Sequence, residues 1–293
     1  MTMSTATEHP TLPATLRLGS AHLTVSDLER SLAFYEGALG LHVHRREAGG
    51  AALGAGEEDV LVLVEEPGAH PAGRHAGLYH VALLYPSRLE LARAGQRLAV
   101  TRTPIEGASD HRTHEAFYLS DPDGNGLELA ADRPREAWPE LNGPAGYAGG
   151  RPLPLDVHDL LSLVADAPPQ ARVSPGLRVG HVHLHVGDVA RGIAFYCDVL
   201  GFELQANLGS AAFVSAGGYH HHLAFNVWRG EGVGPAPPGT CGLRHWTIEL
   251  PSADDVGAVR DRVRGAGIAI ERDDEDGLVV RDPWEIAVRF RAR

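Results

Sequence analysis

A chain of 293 residues, with 43% hydrophobic and 22% charged side chains, has material for one large or two ordinary globular domains. Its formal net charge of −12 argues against nucleic acid and anionic membrane surfaces as partners, and with no long apolar run and no basic-then-apolar leader it is read as cytoplasmic. Cys197 and Cys241 are too few for a disulfide framework, whereas the 17 histidines stand out, since histidine is the commonest side-chain metal ligand and a natural acid or base near neutral pH.

In chain order, "MTMSTATEHPTLPAT" reads as a flexible arm over 1–15. The alternation in "RLGSAHLTV" predicts a strand. "SDLERSLAFYEGALG" predicts a helix with a Ser or Asp cap, an apolar stripe at Leu28, Leu32, Tyr35 and Leu39, and a terminating Gly40. Short strands follow, ending in "DVLVLVEE". The order then restarts with strand "LYHVALLY", helix "RLELARAGQRLA" and strands ending in "FYLSDPDGNGLELA". Asp-Pro, Asp-Gly and Asn-Gly in a row are a strong turn signal. Beyond that turn Glu128 stands between Leu127 and Leu129, so it shares neither neighbour's face of the strand. Taken alone it would point at water, because buried unpaired carboxylates are rare.

Residues 136–176, rich in Pro and Gly, predict a linker with one helical patch at "DVHDLLSLVADA". After it the chain repeats itself. "HLTVSDLERSLAFYEGALGL" and "HLHVGDVARGIAFYCDVLGF" match at ten of twenty positions with a constant offset of 161, aligning His22 with His183 and Tyr35 with Tyr196. "GLYHVALLYP" matches "GLRHWTIELP", aligning His80 with His245. The expected class is therefore α+β, with two tandem domains at 16–135 and 177–293, each a pair of strand-helix-strand-strand-strand modules.

Four such modules, "AFY" with "LGL" after the first helix, and "LSDPDGNGLEL" resemble the vicinal oxygen chelate superfamily, also called the glyoxalase/bleomycin resistance/dioxygenase family. Within it, the run of His111, Phe117-Tyr118, Asp121-Pro122-Asp123-Gly124 and Glu128 resembles the extradiol ring-cleaving signature of catechol 2,3-dioxygenase-like enzymes, with Ser109 a departure from the pattern. The resemblance implies that each module pair curls into a cup around a metal. It implies His22, His80 and Glu128 as ligands, a facial triad suited to Fe(II), with Mn, Ni or Zn as other candidates. It further implies His111 as acid/base, with His114 nearby as a rival, and Tyr118 as hydrogen-bond partner of a substrate oxygen. The substrates would be a small catechol-like aromatic and O2, with homo-oligomer formation left open. Two other classes stand beside this: a glyoxalase-like lyase/isomerase or thiol transferase using its metal as a Lewis acid, and a non-catalytic small-ligand binder. In the second half "RDPWEIAVRF" places Ala287 where Glu128 would align, with Glu285 on the same face. A second site from His183, His222 and His245 is set against a half kept for structure, its cup filled by side chains.

Overall fold

In the computed structural model, residues 11–141, 146 and 152–293 are described; most of the expected arm and part of the expected linker lie outside them. Module 1 consists of β1 (Arg17–Val25), α1 (Leu28–Gly37), β2 (His42–Glu47), β3 (Gly50–Ala55) and β4 (Glu58–Glu65). Module 2 consists of β5 (Gly77–Leu84), α2 (Arg88–Thr101), β6 (Gly107–Asp110), β7 (His114–Ser120) and β8 (Gly126–Asp132). The short strand β9 (Leu153–Pro154) and helix α3 (Val157–Ser162) lead to module 3: β10 (Arg178–His185), α4 (Val189–Ile193), β11 (Glu203–Asn207), β12 (Ala211–Ser215) and β13 (Leu223–Asn226). Module 4 closes the chain with β14 (Gly242–Leu250), α5 (Ala253–Gly265), β15 (Ile270–Asp274), β16 (Gly277–Arg281) and β17 (Ala287–Ala292).

Each helix starts where a short polar side chain can replace a missing intrahelical acceptor. Asp27, Ser87, Asp188 and Ser252 accept from the backbone N–H three residues on. The "AFY" tyrosines are buried struts. Tyr35 donates to Asp121 Oδ2 at 2.9 Å, and its repeat counterpart Tyr196 donates to Asp282 Oδ2 at 2.8 Å. Each aspartate also caps its own turn, Asp121 accepting from the Asp123 and Asn125 amides and Asp282 from those of Trp284 and Ile286. The Asp-Pro pair common to both halves is thus explained by folding, without chemistry.

The modules form two mixed sheets, and their pairing crosses between the repeats. One sheet runs β15-β16-β17-β14-β1-β4-β3-β2 and joins modules 4 and 1; the other runs β11-β12-β13-β10-β5-β8-β7-β6-β9 and joins modules 3 and 2. The sequence reading placed modules 1 and 2 around one cup, and that partnership is corrected here. First strands pair antiparallel with first strands of the other half, β1 with β14 and β5 with β10. An apolar core made from both halves, including Leu23, Leu61, Leu83, Val182, Trp246 and Phe290, fills the space between strands and helices. Among the described residues, no helix is long and apolar enough to cross a membrane.

Candidate active site

The seam between β5 and β10, with β8 on the other side of β5, brings three buried groups to one point. His80 comes from β5, Glu128 from β8 and His181 from β10, with exposures of 5%, 1% and 2%. Gly126 makes this approach geometrically feasible: a Cβ there would run into the Tyr79 carbonyl, so only glycine lets β8 start this close to β5. His80 Nε2 and His181 Nε2 stand 3.0 and 3.1 Å from the same carboxylate oxygen, Glu128 Oε2, and 3.4 Å from each other.

These separations test whether a metal fits. Two ligands ~2.1 Å from one ion and at right angles to each other stand ~3.0 Å apart, so the trio has the spacing of three adjacent corners of an octahedron. Glu128 Oε1 is buried, with His114 Nε2 3.1 Å away. Burial pushes the Glu128 carboxyl up, but His181, His114 and His80 outweigh it and hold the group well below the usual carboxylate range. Burial likewise lowers His181 against the opposing pull of Glu128. An ionised carboxylate beside two imidazole nitrogens is a donor set that fits a divalent cation.

The trio lies at a cavity of about 780 Å³, the size of a small-ligand site. On one wall His111 Nε2 and the Tyr118 hydroxyl are 2.7 Å apart, and His114 stacks on His111 with ring centres 4.4 Å apart. Burial first, then His114, keeps the His111 ring well below its ordinary pKa and therefore neutral. Opposite, Tyr79, Phe213 and Trp228 form an aromatic wall, and His221 packs on His181 at 4.0 Å between ring centres.

The structure therefore brings together at one cavity His80, Glu128, His111 and Tyr118 with the rival His114 and, from the expected second site, His183, and it places His22, His222 and His245 elsewhere. His22 lies in the other sheet, stacked on His245 at 3.9 Å between ring centres; its module pairs with module 4 and so cannot share a cup with His80. The second trio is also dispersed. His183 sits opposite His80 and bonds Asn226, His222 accepts from the Ala216 amide, and His245 belongs to the other sheet. The counterpart of Glu128 is also corrected. Ala82 is paired with Glu128 as Thr247 is with Arg289, so a guanidinium, not Ala287, occupies the equivalent place.

His181 and His221 went unread. "GHVHLHV" signalled a histidine face, but the repeat alignment singled out His183, which matches His22, over its neighbour two residues earlier. The choice between them depends on how β10 shears against β5, whose register shifts between Val179 and His181 and again between His183 and Leu184.

The model of the Glyoxalase/Bleomycin resistance protein/Dioxygenase superfamily matches residues 17–129 and again 178–290. The chain belongs to that superfamily. It is 41% identical over 273 residues to the catechol-2,3-dioxygenase of Bacillus subtilis (strain 168), covering 91% of this chain and 93% of that one. It is 27% identical over 262 residues to the biphenyl-2,3-diol 1,2-dioxygenase of Pseudomonas sp. (strain KKS102), covering 86% of this chain and 78% of that one. Among solved structures, glyoxalase I from Zea mays superposes with a TM-score of 0.58 at 18% identity over 94% of this chain and 92% of that one, a likeness of fold.

Proposed function

We propose that this extradiol dioxygenase opens a catechol-like aromatic ring with O2, using Fe(II) held by His80, Glu128 and His181. The convergence of these three buried groups at the floor of a large cavity carries the reading. Their kinship supports it, the Bacillus subtilis relative being a catechol-2,3-dioxygenase. Bound there, ferrous iron would leave three positions open for both catechol oxygens and O2 and would supply the electron density that triplet O2 needs to react with a closed-shell ring.

The protein's own groups do the rest. Glu128 supplies the only negative charge among the three ligands, which favours a divalent ion over no ion in a buried pocket. The His111–Tyr118 pair, hydrogen-bonded on the cavity wall, holds a substrate hydroxyl and passes its proton, with neutral His111 as acceptor. The aromatic wall keeps bulk water from the ring and orients it.

The test is anaerobic loading of the chain with Fe(II), followed by catechol in air. A yellow ring-opened product with one O2 consumed per ring is expected. His111→Ala should keep iron and lose turnover by ~10²-fold or more if it is the acid/base. Full iron content and no ring opening with any catechol would overturn the proposal.

A further inference from the structure

Behind His221 runs a chain of hydrogen bonds that the reading above leaves without a role. His221 Nδ1 is 2.8 Å from His220 Nδ1, His220 Nε2 is 3.1 Å from Asp132 Oδ1, and Tyr219 donates its hydroxyl to Asp132 Oδ2 at 2.8 Å. His220 and His221 are buried at 1% and 4% exposure, and Asp132 keeps 22% of its side chain in contact with solvent. His114, Asp132 and His220 also lie close enough together to suggest a metal site. The ring geometry speaks against one. His114 and His220 stack at 4.7 Å with planes 16° apart, so their in-plane lone pairs run side by side instead of converging. His114 also has its two nitrogens beside Thr113 and Glu128.

Donor and acceptor rules decide what the chain does instead. An ionised carboxylate only accepts, so the hydrogen between His220 and Asp132 sits on His220 Nε2. A neutral His220 then has its lone pair on Nδ1, and the short contact to His221 requires the hydrogen to be on His221 Nδ1. His221, neutral in turn, is left with the lone pair on Nε2. We propose that Asp132 and His220 are positioning residues that lock His221 as the tautomer whose Nε2 is a hydrogen-bond acceptor in the cavity it lines. This rests on the reading of that cavity as the ring-opening site. There His221 accepts from a substrate hydroxyl on the wall away from His111 and Tyr118. Supporting the charge states, burial raises Asp132 but the bonds from His220 and Tyr219 outweigh it and leave it lowered, while burial lowers His220 to about 4. The motif that points here is "YHHHLAF", in which only the middle histidine lines the cavity and the first links it to Asp132.

The tautomer can be read without turnover. Long-range 1H–15N correlation spectra of the metal-free full chain, labelled on histidine, should show His221 as the Nδ1–H tautomer and His220 as the Nε2–H tautomer. In His220→Phe, which keeps the stacked ring and removes both nitrogens, His221 should lose that single pattern. With Fe(II) loaded, kcat should fall by roughly 10- to 100-fold while KM and iron content stay within about twofold. Asp132→Asn should fall in the same direction, and Asp132→Glu should recover part of the loss, giving a second route if the phenylalanine variant does not fold. An Nε2–H tautomer at His221, a doubly protonated His220, or unchanged kcat in both variants would overturn the inference. Absence of any ring opening by the wild type, with the expected tautomers present, would instead overturn the reading on which it rests.

Discussion

At the centre of each sheet two first strands meet antiparallel and set two histidines face to face, His80 opposite His183 in one and His22 opposite His245 in the other. The scaffold is the same, but the charge beside it is inverted. Next to His80 stands Glu128, and next to His245 the equivalent place holds Arg289. His181 has Ser20 as its counterpart by the repeat offset. On the first seam the carboxylate stands 3.0 and 3.1 Å from the His80 and His181 Nε2 atoms. On the second, burial first and then His245, Arg289 and neighbouring arginines depress His22 to about 3, and the two rings stack. A cavity of about 650 Å³ on that side is lined by His245 with charges of both signs, Arg244, Arg272 and Arg281 beside Glu66, Glu271 and Glu285. One duplicated frame therefore sets a carboxylate beside the paired histidines of one seam and a guanidinium beside those of the other, through differences at two positions.

This contrast can be broken most severely at Glu128. Glu128→Arg gives the first seam the charge of the second, and it should abolish iron retention and ring opening; even loss of a group behind a ligand weakens metal binding ~10–100-fold. Metal analysis and oxygen uptake would check it, and retained iron would sink the charge argument.

The halves agree instead at their Tyr–Asp struts, and there the expected effect is on stability. Burial, against three hydrogen bonds, raises Asp282 to about 6. With the folded value above the unfolded one near 3.8, the protonated form is the one folding favours. Its contribution is full below pH ~4 and is lost as pH rises through ~6, a swing of about 3 kcal/mol at 1.36 kcal/mol per unit. Urea unfolding of wild type and Asp282→Asn should show their difference shrinking by that amount between pH 4 and 7. A pH-independent difference would mean that the carboxyl is not buried as described.

A converse experiment sharpens the comparison. Ser20→His with Arg289→Glu rebuilds at the second seam, around His245, the donor set of the first. A second equivalent of divalent metal per chain is expected by metal analysis, bound more weakly because the nearby arginines remain. No second equivalent would show that strand tilt, beyond residue identity, shapes the first site. The smallest change is expected from Trp228→Ala on the aromatic wall, a several-fold rise in KM for ring-substituted catechols with kcat little altered, in line with the ~0.5–1.5 kcal/mol of an aromatic contact.

The sequence by itself determined the local and repeated features. Helix caps at Asp27, Ser87, Asp188 and Ser252, the strand alternations and the turn before Glu128 follow from the preferences of a few adjacent residues, and the offset of 161 fixed the fourfold module plan. Glu128 read by strand alternation alone as facing water, and only the resemblance of the turn and strand around it to a metal-binding signature turned it inward. His111 and Tyr118 were legible as a pair because seven residues and one strand connect them. What only the tertiary structure decided was which module faces which. All four first strands carry similar patterns, so local propensity cannot choose among their edges, and the choice falls to packing between residues a hundred or more apart. That choice moved His22 out of the site, put His181 into it from the other repeat, and set Arg289 against His245.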